Sequence, residues 1–311
     1  MAGRLPRTIV MLVSLGILVA GAWLELEQMQ QMMLPADYRT FRTVTRKDPT
    51  RVRFLCTGDI RWNISVFEGI GKLAAKFDVD FVLLLGDVVK KANERSYQVF
   101  VSEMHEMRPG CPVFILPGND EIDFDGGALF EKVVGARNFA VEAGDWTVLC
   151  LDNNNGLSEA SWQVIRELIS KRAGHVIIAC HQPFSNNKEA TTIAKQISVE
   201  AYFWGHLSKG FRKLQLAGKP AWEVPGGGAH LGPEKNPFAA LVECDSLGVK
   251  VTKLDLPEYH PLWHAVEYQL VTAPPAVHWG MVALGAAGFL VAWARLRRKT
   301  RRQTEKTNLN L

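Results

Sequence analysis

Short apolar runs alternate with longer amphipathic stretches from Arg51 onward, and this rhythm is the feature that most restricts the fold. Phe81 to Leu85 is an unbroken apolar run, as expected for a strand that is covered on both faces. The stretch 158–171 instead carries apolar residues at helical spacing. Because strands and helices follow each other in turn, the sequence predicts a layered α/β domain.

The predicted elements of this domain thin out toward its end. Strands are predicted at 52–56, 81–85, 112–116, 147–151 and 175–180, and helices at 64–76, 96–106 and 158–171. Beyond Ala201 the helical pattern fades, and a β-rich finish is predicted at 213–217, 239–244 and 249–254.

The charge is unevenly placed. An apolar content of 47% excludes a disordered chain, and the formal net charge is +4. Arg4 and Arg7 contribute +2, and the seven basic residues from Arg295 onward contribute +6 after Glu305 is counted, which leaves −4 for the rest. The basic character belongs to the tails, so we do not expect the body of the protein to bind nucleic acid.

Both ends of the chain carry uncharged apolar runs. Residues 8–24 follow Arg4 and Arg7, which favours a transmembrane anchor, although Ala20-Gly21-Ala22 also fits a cleaved signal peptide. Residues 277–294 precede a basic cluster, as a stop-transfer helix would. These runs predict a two-pass membrane protein with both termini cytoplasmic, the main domain on the extracytoplasmic side and the lipid bilayer as a partner.

The chain is therefore predicted to have six segments. They are a membrane anchor or signal peptide at 1–24, a helical stalk at 25–50, the α/β domain at 51–258, a juxtamembrane linker at 259–276, a transmembrane helix at 277–294 and a basic cytoplasmic tail at 295–311. The sequence does not indicate which proteins bind the chain. The five cysteines show no metal-type spacing, and we interpret them as small buried hydrophobic residues.

Polar side chains recur where the predicted strands end. The five strand-end sequences are Gly58-Asp59-Ile60-Arg61, Gly86-Asp87-Val88-Val89, Pro117-Gly118-Asn119-Asp120-Glu121, His181-Gln182-Pro183 and Gly205-His206-Leu207-Ser208. Ligands of α/β sheets gather beyond the carboxyl ends of strands. A single Gly-Asp turn is common and carries little meaning, but carboxylate, amide and imidazole groups at successive strand ends suit a divalent transition metal such as Mn, Fe or Zn.

In the order and spacing of these motifs the sequence resembles the calcineurin-like metallophosphoesterase family over residues 52–256. Leu151-Asp152-Asn153 and the glycine run at 225–228 extend the resemblance. The resemblance implies a four-layer α/β/β/α sandwich with a binuclear metal centre. It also implies that a metal-activated hydroxide attacks phosphorus while a histidine assists the leaving group.

The resemblance transfers the two metal sites unequally. The second metal's set is complete and comprises Asp87, Asn119, His181 and His206. The first metal's set retains Asp59 and the shared Asp87, but Arg61 and Ser208 stand where histidines are expected. The assisting histidine is replaced by Asp120. These departures predict one bound ion, since two carboxylates alone hold a transition metal poorly.

Arg61, Asp120 and His230 are each given a predicted role beside the metal ligands. Arg61 could pair with Asp59 and Asp87, or it could bind a phosphate in bidentate fashion. Asp120 could protonate a leaving group only if its pKa were raised, whereas a neighbouring cation would lower that pKa. Alternatively, Asp120 and Glu121 cap the helix that follows. His230 could join the site as a substrate-binding residue or substitute ligand.

Two functions of different class therefore stay open. The first is a membrane-anchored phosphate-ester hydrolase with one metal and Arg61 as its phosphate clamp, acting on a phosphorylated small molecule or a lipid head group. The second is an inactive pseudo-phosphoesterase that binds a phosphorylated ligand or scaffolds a complex. The fold by itself does not decide between them.

Overall fold

The computed structural model describes residues 7–28, 41–48, 50–61, 63, 66–171, 174–184, 187–206, 210–228, 236–256, 273 and 276–291. The chain divides into two compact units. The first comprises residues 1–30 and 269–311, and the second comprises residues 31–268.

The first unit pairs two helices through small residues. Helix α1 spans Arg7–Gln28, and a second helix covers residues 276–291. A Cβ atom added at Gly21 would lie 2.9 Å from the carbonyl oxygen of His278, and one added at Gly285 would lie 2.6 Å from that of Ser14. Glycine at these two positions therefore lets the helix backbones approach closely.

The predicted membrane spans are wrong. Within the part of the chain that the structure describes, neither helix combines the length and apolarity needed to cross a bilayer. The longest uncharged run of α1 has 17 residues, from Thr8 to Leu24, and includes Ser14, Gly16 and Gly21, while the described second helix has 16 residues. The two-pass topology, the extracytoplasmic placement of the main domain and the transmembrane helices flanking the fold are therefore not supported.

The second unit holds the α/β domain. Its strands are β1 (Phe41–Thr43), β2 (Val52–Thr57), β3 (Phe81–Leu84), β4 (Val113–Ile115), β5 (Phe139–Ala143), β6 (Trp146–Leu151), β7 (His175–Cys180), β8 (Val199–Trp204), β9 (Arg212–Leu216), β10 (Lys219–Glu223), β11 (Phe238–Asp245) and β12 (Gly248–Asp255). Its helices are α2 (Val66–Phe77), α3 (Glu94–Met107), α4 (Asn119–Ile122), α5 (Ala128–Val133), α6 (Glu159–Ser170) and α7 (Asn187–Ala194).

The strands form two mixed sheets. The seven-stranded sheet has the order β1-β5-β6-β7-β8-β10-β9, and the five-stranded sheet has the order β12-β11-β2-β3-β4. Strands β2, β3 and β4 run parallel, as do β6, β7 and β8. The carboxyl ends of each parallel set therefore meet at one edge of its sheet.

Three hydrophobic clusters show how the layers stack. One cluster joins the facing sides of the two sheets, where the rings of Phe54 and Phe203 lie 6.2 Å apart. A second cluster packs α2 and α3 on the outer face of the five-stranded sheet. A third packs α6 and α7 on the outer face of the seven-stranded sheet. The layers therefore follow the order helix, sheet, sheet, helix. Because each sheet is covered on both faces, strands such as β3 and β6 are fully buried.

The structure contains elements that were not predicted, among them the mostly buried strands β5 and β8 and the helices α5 and α7. The predicted stalk at 25–50 includes β1, which pairs in parallel with β5 and places the Arg42 guanidinium 4.6 Å from the centre of the Phe139 ring. A strand of three residues is too short to show the alternation of apolar and polar residues that identifies a strand in a sequence. Its pairing with β5 therefore determines that this segment is a strand. The five cysteines all lie among the described residues as free thiols, and four of them are buried as predicted.

Candidate metal centre

Four side chains from both sheets meet between the carboxyl ends of the parallel strands. Asp87 and Asn119 follow β3 and β4 of the five-stranded sheet. His181 and His206 follow β7 and β8 of the seven-stranded sheet. Asp87, His181 and His206 each offer a ligand atom, and these atoms lie within 4.8 Å of one another. The site thus depends on the two sheets facing each other.

His181 lies at the centre of this group. Its Nε2 atom lies 3.3 Å from Asp87 Oδ1, 3.2 Å from Asn119 Oδ1 and 3.1 Å from His206 Nδ1. The side chains of His181 and Asp87 have no exposed surface. One point in space is therefore within reach of two imidazoles, a carboxylate and an amide oxygen.

The hydrogen bonds around the group leave lone pairs facing inward. His181 Nδ1 donates to the carbonyl oxygen of Leu85 at 2.7 Å, which places the lone pair of the neutral ring on Nε2. Burial lowers the pKa of His181 and favours that neutral form. Asn119 Nδ2 donates to Asp120 Oδ1 at 3.0 Å, so the Asn119 oxygen points toward His181. With His206 protonated on Nε2 and not on Nδ1, all four atoms would be acceptors, which is the set that a divalent cation binds.

The backbone is held in an unfavourable conformation at several of these positions. Among the described residues, seven that are not glycine have a positive φ angle. Four of the seven belong to the strand-end motifs, namely Asp59, Arg61, Asp87 and His206, with φ between 50° and 64°. Such angles persist only where the surroundings fix them, and they cluster at functional sites.

Glu121 ties two of the ligand loops together. Its Oε2 accepts the backbone N–H groups of Asp87 at 2.8 Å and Gly118 at 2.6 Å, and its Oε1 accepts that of Val89 at 2.9 Å. In return, Asp87 Oδ1 accepts the backbone N–H of Asp120 at 3.0 Å. The sequence suggested a helix cap for Glu121, whereas its buried carboxylate also reaches the loop after β3.

Arg61 lies beside Asp59 and Asp87, the two residues that the sequence predicts as remnants of the first metal's ligand set. Its guanidinium bonds to Asp87 Oδ2 through both Nε and Nη2, and its Nε lies 3.0 Å from Asp120 Oδ2. Asp59 Oδ1 lies 4.0 Å from Nη2. Burial opposes the charge of Arg61, yet the carboxylates of Asp87, Asp120 and Asp59 raise its pKa above the ordinary value.

Two of the three carboxyl groups around Arg61, those of Asp59 and Asp120, have raised pKa values. Burial, reinforced by the charge of Asp87, raises the pKa of Asp59 to about 7, although the backbone N–H of His206 donates to it at 2.8 Å. Burial and Asp87 likewise raise the pKa of Asp120 to about 7. Arg61 does lower the pKa of Asp120, as expected of a neighbouring cation, but desolvation and the charge of Asp87 outweigh this effect and the net shift is upward.

The structure brings together seven of the predicted site residues, which are Asp59, Arg61, Asp87, Asn119, Asp120, His181 and His206. Their roles as ligands or catalytic groups remain predictions. His230 and Ser208 lie outside the described residues. Sequence reasoning did not anticipate the loop-anchoring contacts of Glu121, and the only available signal was an acidic residue two positions after Asn119.

A family comparison matches the part of the chain that carries this site. The model of the calcineurin-like phosphoesterase family matches residues 52–209. A protein of Pseudoalteromonas sp. strain SM9913, named a probable cyclic nucleotide phosphodiesterase, is 27% identical over 179 residues. That alignment covers 48% of this chain and 66% of the relative, which is just under two thirds of the relative's length.

Solved structures resemble the chain in fold. The purple acid phosphatase of yellow lupin (Lupinus luteus) seeds superposes with a TM-score of 0.50 at 11% identity, over 68% of this chain and 52% of the phosphatase. The protein TT1561 of Thermus thermophilus gives a TM-score of 0.47 at 17% identity, over 66% of this chain and 99% of TT1561.

Proposed function

The chain belongs to the calcineurin-like phosphoesterase family, and we propose that it hydrolyses small phosphodiesters with one divalent metal ion. The observation that carries this proposal is the group of acceptor atoms around His181 Nε2, which faces three other candidate ligand atoms at 3.1–3.3 Å. Asp87, Asn119, His181 and His206 would hold the ion. When bound, such an ion supplies Lewis-acid activation of water and of the phosphoryl group.

Arg61 would replace the charge of the first metal. Its guanidinium lies against Asp87 and Asp120, which would otherwise leave uncompensated negative charge where an anionic phosphate must bind. Its side chain is 15% exposed, whereas those of Asp59 and Asp87 are 1% and 0% exposed. We therefore assign Arg61 as the group that meets the phosphate from the solvent side.

Asp120 would donate the proton to the leaving group. It stands where the family's assisting histidine is expected, and its side chain is 19% exposed beside Arg61. Asn119 Nδ2 and Arg61 Nε hold its two carboxyl oxygens at 3.0 Å each, which fixes the orientation of the group. A carboxyl group in a largely desolvated position can serve as a general acid near neutral pH.

The substrate class rests on a relative. The aligned bacterial relative is named a probable cyclic nucleotide phosphodiesterase, which supports a diester of a phosphorylated small molecule over a monoester. A purple acid phosphatase resembles the chain in fold alone and does not bear on this choice.

Metal content and ester hydrolysis test the proposal together. We expect the purified protein to hold about one Mn, Fe or Zn ion per chain by elemental mass spectrometry, and to hydrolyse bis(p-nitrophenyl) phosphate faster than p-nitrophenyl phosphate. His206→Ala should lose both the metal and the activity. His105→Ala is the matched control, because His105 is exposed on α3. Two ions per chain, or activity that resists metal removal, would contradict the one-metal proposal.

A second candidate function is favoured by the bonding of Arg61. The guanidinium already contacts the carboxylates of Asp87, Asp120 and Asp59, which supports a self-neutralised site that binds a phosphorylated ligand without cleaving it. Restoring the family's histidines with Arg61→His, Ser208→His and Asp120→His distinguishes the two functions. A gain of hydrolysis would favour the inactive protein, whereas the loss of an activity present before the change would favour the Arg61-assisted hydrolase.

A further inference from the structure

Two parallel strands of the seven-stranded sheet end side by side at the metal centre. Strands β6 and β7 are in register up to the pair Leu151 and Cys180. The loop after β7 begins with the ligand His181, and the loop after β6 begins with Asp152, Asn153 and Asn154. The backbone ladder stops at this point, so other contacts must hold the two loops together.

Asn153 extends the ladder with its side chain. Its Nδ2 donates to the carbonyl oxygen of Gln182 at 2.6 Å, and its Oδ1 accepts the backbone N–H of Gln182 at 3.1 Å. Asn153 is only 6% exposed. A primary amide donates and accepts at once, which neither a carboxylate nor an apolar side chain can do. These two bonds fix the backbone of the residue that directly follows His181.

Asn154 reaches the opposite sheet. Its Nδ2 donates to the carbonyl oxygen of Pro117 at 3.1 Å and to Asp152 Oδ1 at 2.9 Å. Pro117 lies two residues before Asn119, in the loop that follows β4 of the five-stranded sheet. Asp152 is held in turn by the guanidinium of Arg137, whose Nε donates to Asp152 Oδ2 at 2.7 Å.

From these contacts we propose that residues 152–154 are a positioning element that sets His181 of one sheet against Asn119 of the other. Asn153 fixes the His181 loop, Asn154 fixes the Asn119 loop, and both side chains leave the same short segment. None of the three residues is catalytic, since each acts through a residue of a ligand loop. The inference rests on the proposed metal function, because it assigns the element to that centre.

Metal affinity measured by titration calorimetry tests the element. In Asn153→Ala we expect the dissociation constant for Mn²⁺ to rise about 10–100-fold, the range found when groups that orient metal ligands are removed. Asn155→Ala is the matched control, since Asn155 is the next residue and is exposed. Should Asn153→Ala fail to fold, Asn154→Ala removes the contact with Pro117 and carries the same expectation. Affinities that agree within about twofold among these variants would overturn the proposal.

A crystal structure of metal-free Asn153→Ala supplies a second, metal-independent measurement. We expect the separation between His181 Nε2 and Asn119 Oδ1, 3.2 Å here, to lengthen by about 1 Å, while Asn155→Ala retains it. An unchanged separation would overturn the positioning role even if the metal function holds. If the separation lengthens but the parent protein binds no metal, the proposed function fails while the structural coupling of the two loops stands.

Discussion

The two halves of the candidate centre solve the same electrostatic problem by different means. On one side, Asp87, Asn119 and His206 each place an oxygen or nitrogen atom within 3.3 Å of His181 Nε2, an arrangement that suits a bound cation. On the other side, the Arg61 guanidinium is the cation, and it lies within bonding distance of Asp87 and Asp120. One half offers candidate ligand atoms to a cation, and the other half contains a cationic side chain.

Asp87 links the two halves, since its Oδ1 faces His181 and its Oδ2 accepts from Arg61. A covalently attached guanidinium cannot exchange, polarise water as a Lewis acid or adopt open coordination, whereas a metal ion can do all three. In the proposed mechanism, nucleophile activation therefore depends on the metal half, and the guanidinium half serves charge balance and phosphate binding.

Asp87→Asn should have the largest effect, because it damages both halves at once. We expect loss of the metal and a fall in kcat/KM of roughly 10³-fold or more, measured with bis(p-nitrophenyl) phosphate alongside metal content. Asp123→Asn provides the control, because Asp123 is an exposed carboxylate at the end of α4. If Asp87→Asn kept the metal, the assignment of Asp87 as a metal ligand would be contradicted.

Arg61→Ala should have the next largest effect. Removing the guanidinium leaves the carboxylates of Asp59, Asp87 and Asp120 together in a buried site, which costs about 3–5 kcal/mol in the free energy of unfolding. If Arg61 stands in for a metal, added Mn²⁺ should raise the Tm of Arg61→Ala well beyond the rise seen in the parent protein, as thermal denaturation can measure. Equal Mn²⁺ responses would speak against the replacement.

Asp120→Asn should affect the leaving group selectively. An amide cannot donate a carboxylic proton, so kcat for an alkyl phosphodiester should fall about 100-fold. The fall should be only a few-fold for bis(p-nitrophenyl) phosphate, since p-nitrophenolate leaves without protonation. The ratio of the two kcat values is the measurement, and a parallel fall for both esters would show that Asp120 acts through Arg61 and not on the leaving group.

The order of the strand-end motifs was the most predictive feature of the sequence. The motif at Asp87 follows the apolar run from Phe81 to Leu84, which is buried throughout, so the position of Asp87 at a strand end could be predicted. The resemblance to phosphoesterases was predicted over residues 52–256, and the family comparison confirms it over residues 52–209. The mixed α/β architecture follows from the same pattern.

Three features could not be read from the sequence, for separate physical reasons. The membrane spans failed because the two uncharged runs, of 17 and 18 residues, lie at the lower limit for crossing a bilayer. The pKa of Asp120 depends on how deeply the folded chain buries it, which a local sequence does not state. The contacts of Glu121 and Asn153 join loops from distant parts of the chain, so only the folded structure reveals them.

The pH dependence of the metal-free protein should give the smallest effect and the finest comparison of the two halves. Burial and Asp87 raise the pKa of Asp59 from its ordinary 3.8 to about 7 in the folded state. Between these values the unfolded chain has released a proton that the folded chain retains, so the stability of the metal-free protein should fall as pH rises from about 4 to about 7 and then level off. Asp120 acts in the same direction.

We expect Tm to fall by several degrees between about pH 5 and about pH 8, and to fall less in Asp59→Asn than in Asp123→Asn. A Tm that changes equally in both variants would mean that Arg61 neutralises Asp59 fully, and that the guanidinium half is electrostatically complete without any proton.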